Sequence, residues 1–328
     1  MYKRQEHFDV SHGHPGPERP GQSRELGRQA IDFLDRTSSN ENFCLSVSFR
    51  APHARDPDPK QYLYDPEEAN LYRDIQIPVP FKADPKYFER LPASVQESES
   101  RARWKLRFTN PAHYQESVKS YFRLIAGVDA VVGDILKKLN QKGVDDNTVV
   151  VFSSDNGYFL GERGLADKWY LYEESIRTPL IIHDPRAGAR LRGTTRREMT
   201  LNLDLSPTFL SLAGLQSPAA VQGRDLTSLT RGERPVWRKE WFYSHLFPAT
   251  PPRVTIPRSE GIRTDKLKYI QWIDSQPLRE EAYDLIRDPQ EIAPLPDGKV
   301  QEALRDRWSV WNQALAGWNP NTSWRDPK

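Results

Sequence analysis

Ser153-Ser154-Asp155-Asn156-Gly157 puts a carboxylate, an amide and a glycine directly after a β-branched apolar run, Thr148 to Phe152. Oxygen donors at the end of a strand suit a hard cation, so Asp155 and Asn156 are candidate metal ligands. Gly157 lets the backbone turn away without a Cβ clash. Lys168 follows on a polar loop and brings an ammonium within reach of the same crevice. His53 closes a second apolar run, Phe43 to Phe49, through Ala51-Pro52-His53. A histidine in that place can face the crevice at the carboxyl edge of a parallel sheet. The plainer readings are an ordinary Asp-Asn-Gly turn and a structural histidine.

The elements that must position these residues follow from the periodicities. Residues 1 to 24 read as a loop, and the Ser11-His12-Gly13-His14-Pro15-Gly16-Pro17 tract in it reads as a surface connection rather than a metal site. Ser23 is placed to cap a helix over Arg24 to Arg36. Phe43 to Phe49 alternates like a strand, with Cys44 inside it as a small core residue. A long irregular connection is expected over residues 54 to 110. Its Arg101, Arg103, Lys105 and Arg107 surround Trp104, as a solvated basic face or as a site for an anionic sugar.

Asn110-Pro111 opens a helix that runs to Gln141 and ends at Gly143. Its expected buried stripe is Val118, Phe122, Ile125, Val128, Val132, Ile135, Leu136 and Leu139. Thr148 to Phe152 and Thr178 to Ile182 read as strands buried on both faces. Met199 to Leu205 reads as a strand carrying Asp204, and Ser206-Pro207 starts a helix to Leu212. Lys239 to His245, Gly261 to Trp272 and Glu281 to Leu285 read as strands, and Val300 to Leu315 as a closing helix. Helix and strand alternating around the central run imply an α/β fold with a large, mixed, mostly parallel sheet flanked by helices.

Bulk properties narrow the function classes. With 47 basic and 45 acidic residues, nothing calls for a nucleic-acid partner. One cysteine allows no internal disulfide, which leaves the compartment open. No apolar run reaches the roughly 20 residues of a membrane span, and the first twenty residues do not form a signal peptide.

The stretch resembles the sulfatases of the alkaline-phosphatase superfamily. The resemblance rests on Ser154-Asp155-Asn156-Gly157, Leu160-Gly161-Glu162, Gly164-Leu165, Lys168, Tyr172-Glu173-Glu174-Ser175-Ile176-Arg177 and Pro179-Leu180-Ile181-Ile182. Later segments that also match are Gly223-Arg224-Asp225-Leu226, Gly261 to Ile270 and Ala282-Tyr283-Asp284-Leu285. It implies a hydrolase of sulfate esters, with a sulfated sugar or other small sulfated molecule as substrate and Ca2+ as cofactor. It assigns metal ligation to Asp155 and Asn156, and sulfate holding and leaving-group assistance to His53 and Lys168. It also implies a partial catalytic α/β domain over residues 1–232. Residues 233–328 would form a smaller subdomain, an antiparallel sheet with a closing helix. Asp204 would pack behind the site.

The family nucleophile is a formylglycine made from a Cys/Ser-x-Pro-x-Arg motif that lies upstream of the matched segments, and residues 1–153 contain none; Cys44 is followed by Leu-Ser-Val-Ser. Arg163 stands where a histidine is frequent. The expectation is an amino-terminally truncated fragment that binds calcium weakly, does not hydrolyse sulfate esters alone and carries a raw sheet edge. Family members are commonly exported; oligomeric state is not legible. Two other readings stay open: a phosphodiesterase or phosphonate hydrolase of the same superfamily, and a non-catalytic sulfated-glycan-binding remnant.

Overall fold

The computed structural model describes residues 19–56, 58–246, 256–317 and 326–327; the histidine-bearing tract at Ser11–Pro17 lies outside them. In chain order the elements are helices α1 Gln22–Arg36, α2 Pro85–Glu89, α3 Ala93–Gln96, α4 Glu99–Arg107 and α5 Pro111–Gln141; strands β1 Val150–Ser153, β2 Phe159–Leu160 and β3 Ala166–Asp167; helix α6 Glu173–Ile176; strand β4 Leu180–His183; helices α7 Leu205–Leu212 and α8 Thr227–Thr230; strands β5 Glu240–His245, β6 Ser259–Thr264, β7 Leu267–Trp272 and β8 Arg279–Asp284; and helix α9 Lys299–Ala316. They fall into two compact units. One comprises residues up to Val79 together with Arg107–Thr148, the other Pro80–Leu106 together with the residues from Val149 onward.

In the amino-terminal unit α1 lies along α5. Gly27 permits the approach: a Cβ there would meet Val131 Cγ1 at 2.6 Å. The Asn110 side chain accepts from the His113 N–H, and Pro111 occupies the first turn of α5, as the sequence implies. Gly143, at φ +64, follows the helix end. The buried face of α5 includes Tyr114, Val118, Gly127, Val128, Val131 and Leu139. Ile125 and Leu136, expected inside, are each 43% exposed. Apolar identity put them on the stripe, but the α1 contact through Gly27 and Val131 selects the neighbouring face.

Several local expectations change. α1 starts at Gln22, after Gly21 in the left-handed region at φ 81, and no side chain caps it. Instead the Gly21 N–H donates to the Asp65 carboxylate. Residues 43–49 form no ladder among the described residues, because alternation alone cannot supply a hydrogen-bonding neighbour, and Cys44 is exposed rather than in the core. The connection after residue 54 is not a featureless loop; it contains α2, α3 and α4.

The second unit holds the sheets. β1 pairs antiparallel with β4, with Phe152 opposite Ile181. Those two side chains are 36% and 61% exposed, so the run is not buried on both faces among the described residues. β2 pairs antiparallel with β3, and β5-β6-β7-β8 form an antiparallel sheet in that order. The mixed α/β class and the carboxyl-terminal antiparallel sheet are thus both present. The pairing seen for β1 is antiparallel and two-stranded rather than part of a broad parallel sheet. Residues 199–204 are not a strand but lead through a 3-10 turn into α7. The predicted single strand Gly261 to Trp272 is a hairpin, β6 and β7.

β7 is covered on both faces. Ile270 and Trp272 join Leu91, Val95, Phe159, Tyr170, Leu171, Tyr172 and Tyr283 in the main core. Tyr269, on the other face, packs with Ala282 and Leu304 of α9. Gly261 permits the close fit, since a Cβ there would lie 2.6 Å from Leu171 Cδ2. Burying an aromatic side chain of this kind contributes about 1.5–3 kcal/mol. The Tyr170-Leu171-Tyr172 run is therefore an anchor for the loop before it, which carries Lys168.

Candidate functional site

β1 ends at Ser153, and the loop after it is held by short-range bonds. The Asn156 N–H donates to Asp155 Oδ1 at 2.9 Å, and Asn156 Nδ2 donates to Gly157 O at 2.8 Å. With the amide nitrogen so committed, Asn156 Oδ1 and the exposed Asp155 carboxylate are the ligand-type oxygens of the loop. Asn202 Nδ2 braces the loop from behind, donating to Asp155 O at 2.9 Å and Ser154 O at 3.2 Å. Gly157 N–H donates to Ser175 O at 2.8 Å. This donor set fits a hard cation in type, with two oxygen-bearing side chains on one braced turn.

Lys168 is presented differently. The β2–β3 register sets Asp167 opposite Phe159, so Lys168 leaves the ladder beside Tyr158, just after the Asp155-Asn156 turn in the chain. Both neighbours of Lys168 are non-glycine residues in the left-handed region, Asp167 at φ 69 and Trp169 at φ 88. Such conformations cost on the order of 1–3 kcal/mol each and persist where surrounding contacts impose them. Those contacts are present. Arg103 Nη1 donates to Asp167 Oδ2 at 2.6 Å, Ser100 Oγ to Ala166 O at 2.5 Å, and Tyr243 Oη to Trp169 O at 2.5 Å.

Of the basic residues on α4, Arg101, Arg103 and Arg107 make inward contacts, while Lys105 is exposed. Arg101 lies 3.9 Å from the ring centres of both Phe88 and Trp104 and donates to Gly164 O at 3.0 Å. Arg107, in the amino-terminal unit, is fully buried and donates to Gln61 Oε1 and Asp56 Oδ1 at 2.7 Å. Charge and spacing alone could not separate a solvated run from a run turned inward.

The turn from Tyr172 to Arg177 is held by a buried ion cluster. Lys268 Nζ donates to Glu173 Oε1 at 2.8 Å and to Glu291 Oε1, and Glu291 Oε2 accepts the Glu173 N–H at 3.0 Å. Arg163 Nη2 donates to Glu291 O at 2.7 Å, and its guanidinium lies 4.1 Å over the Tyr172 ring. Glu162, inside this loop, has its carboxyl pushed up from the ordinary range by burial, despite accepting the Leu160 N–H at 2.6 Å. Asp204 is fully buried, bound by Arg238 at 2.5 and 2.6 Å and by the Arg224 N–H at 2.8 Å. It supports structure, as the packing reading implies.

His53 belongs to the amino-terminal unit. Its Nδ1 lies 2.7 Å from Ala54 O. A carbonyl only accepts, so Nδ1 carries a proton and Nε2 is the nitrogen where a second proton would reside. His53 lines a cavity of about 20 Å³ with Arg19, Ser23, Asp65, Glu68 and Arg123, the room of roughly one water. Carboxylate oxygens of Asp65, Glu67 and Glu68 come within 4.8 Å of one another, close enough to hold a cation. The sequence reading passed over this group. Arg24 enters it, with Nε 3.4 Å from Asp65 and Nη2 bonded to Glu68, so a guanidinium already offsets the charge.

Known proteins match this arrangement over most of its length. The pattern described as Sulfatase matches residues 4–215, and that described as N-sulphoglucosamine sulphohydrolase, C-terminal, matches residues 161–311. The chain belongs to the sulfatase family. Within that family it is 29% identical to an N-acetylglucosamine-6-O-sulfatase of Bacteroides thetaiotaomicron, covering 85% of this chain and 58% of the relative. It is 30% identical to a choline-sulfatase of Rhizobium meliloti, covering 85% and 52%. The chain therefore spans little more than half the length of these curated relatives. A solved structure in complex with its substrate D-glucosamine-2-N,6-O-disulfate superposes with a TM-score of 0.73 and 25% identity, covering 91% of this chain and 71% of that one. The phosphonate monoester hydrolase of Silicibacter pomeroyi shares the fold, with a TM-score of 0.75 at 22% identity over 94% and 63% of the two chains.

Against this sulfatase frame, Asp155 and Asn156 share one turn and Lys168 emerges from the adjoining β2–β3 ladder. Asn202 and Tyr243 escaped the sequence reading, and Arg103 entered it only as one of the basic cluster around Trp104. Their signals were a lone amide, a charge run and an ordinary strand tyrosine. Only the fold shows what they hold.

Proposed function

We propose that this chain is part of a hydrolase of sulfate esters acting on sulfated sugars. The observation that carries the reading is Lys168, set between two strained neighbours on the loop that follows the Asp155-Asn156 turn. Relatives named for N-acetylglucosamine 6-sulfate, and a structural neighbour bound to a glucosamine disulfate, support the sugar class. The division of the chain into a catalytic part up to residue 232 and a carboxyl-terminal subdomain from 233 belongs to the same proposal.

In this reading Asp155 Oδ and Asn156 Oδ1 hold Ca2+. A hard cation there supplies positive charge for the non-bridging oxygens of the ester. Lys168 donates from Nζ to one of those oxygens and fixes the sulfate group in orientation. The family resemblance also assigns leaving-group assistance to His53 of the amino-terminal unit, whose Nδ1 donates to Ala54 O. The buried core around Tyr170, Leu171 and Tyr172 anchors the chain directly after Lys168. Since no Cys/Ser-x-Pro-x-Arg motif stands ahead of the Asp155-Asn156 turn in these residues, this polypeptide binds the ester without turning it over.

Titration calorimetry with glucosamine 6-sulfate tests the reading. Wild-type chain should bind in the presence of calcium, and Lys168→Ala should weaken binding with the fold intact by circular dichroism. Equal affinity of the two chains overturns it. An aryl phosphodiester, measured alongside, should bind less tightly than an aryl sulfate.

A further inference from the structure

We infer that Arg103 is a positioning residue for Lys168. The inference rests on reading Lys168 as the sulfate-holding group and adds the residue that keeps it in place. Arg103 grips the residues on either side of Lys168. Its Nη1 donates to Asp167 Oδ2 at 2.6 Å, and its guanidinium lies 5.1 Å from the centre of the Trp169 ring. Its Nε donates to Glu99 Oε1 at 2.7 Å, one turn back on α4, which fixes the guanidinium plane.

The two gripped residues are the ones whose backbones require outside support. Asp167 and Trp169 both have positive φ, so each has a more comfortable conformation to relax into once released. Relaxation at either would rotate the intervening peptide units and redirect the Lys168 side chain. Asp167 is 1% exposed, so its carboxylate depends on a cationic partner. Arg103 serves as that partner and as the cover of Trp169 at once. A lysine at 103 could pair with Asp167, but it lacks the planar group that also covers an aromatic ring. Tyr243 bonded to Trp169 O holds the carbonyl on the far side and keeps the loop attached to the sheet when Arg103 is changed.

The test reads Lys168 itself. Acetylation of Lys168 Nζ by acetic anhydride is timed by peptide mass spectrometry, with the exposed Lys137 as internal reference. Arg103→Met should change the Lys168 rate severalfold relative to Lys137, and Arg103→Lys should restore part of the difference. In a form of the protein that turns over a sulfate ester, Arg103→Met should cost up to about a hundredfold in kcat/KM with KM raised, as displacement of a group that holds the substrate does. An unchanged Lys168 rate in a folded Arg103→Met chain overturns the proposal. If Arg103→Met does not fold, Asp167→Asn removes the ion pair while keeping the shape, and the same shift in Lys168 rate is required of it. Inorganic sulfate should slow Lys168 acetylation in the wild type. Failure of that protection removes the sulfate reading and leaves the clamp standing, so the two can fail separately.

Discussion

The Gly157 N–H donates to Ser175 O at 2.8 Å, and a Cβ at position 157 would sit 2.2 Å from Glu174 O and 2.7 Å from Arg177 O. The turn bearing Asp155 and Asn156 is thereby pressed against the backbone of the Tyr172–Arg177 segment. Backbone atoms cannot step aside as a flexible side chain can. Gly157→Ala should therefore lower stability by about 1–3 kcal/mol, the usual cost of forced overpacking. Urea unfolding measures this, and an unchanged midpoint would show that the two segments are not in such contact.

Lys268 is fully buried between Glu173 and Glu291, the latter also fully buried. Lys268→Met strands both carboxylates and should cost about 3–5 kcal/mol. The triple change Lys268→Met, Glu173→Gln, Glu291→Gln removes the stranded charges and should recover much of that loss. Denaturant midpoints of the two variants decide the matter; a triple variant less stable than the single would mean that the charges themselves are not the source.

Glu173 predicts an acid-side dependence. Burial draws its carboxyl upward, but Lys268 and then Arg263 outweigh burial and hold it below the ordinary carboxylate range. The unfolded chain thus binds this proton more readily than the folded one. Its contribution to stability is present above the ordinary glutamate value of about 4.3 and is lost as pH falls through the depressed folded value. Glu173→Gln should flatten the fall in unfolding free energy over that acid window and leave the neutral-to-alkaline slope alone. Parallel stability–pH curves for the two proteins would contradict the assignment.

If Asp155 and Asn156 hold calcium, the ion must stabilise the folded chain by mass action. The rise in melting temperature should grow with the logarithm of calcium concentration above the dissociation constant. It should vanish in Asp155→Ala and on chelation. A calcium effect that survives in Asp155→Ala but vanishes in Glu67→Ala would move the ion to the Asp65, Glu67 and Glu68 group.

The sequence by itself determined what is local and chemical. It marked Asp155, Asn156 and Lys168 by residue type and order, the Asn110-Pro111 start of α5, the closing helix α9, and the family through an ordered set of short segments. Each of these is carried by neighbours in the chain: a capping amide, a glycine after a carboxylate, a period of 3.6.

Tertiary structure decided the rest, because burial and pairing depend on residues far apart in sequence. Phe152 and Ile181 look like core residues and face outward, since a two-stranded ladder covers one face. Arg101, Arg103 and Arg107 look like surface charge and turn inward, where Phe88, Trp104, Asp167 and Asp56 receive them. Lys268 and Glu291 look like exposed polar residues and form a buried pair. The strained backbone on both sides of Lys168 left no trace in composition or period, because strain is borne by distant partners. Only with Arg103, Tyr243 and the Tyr170–Tyr172 anchor in place does that lysine acquire a fixed direction.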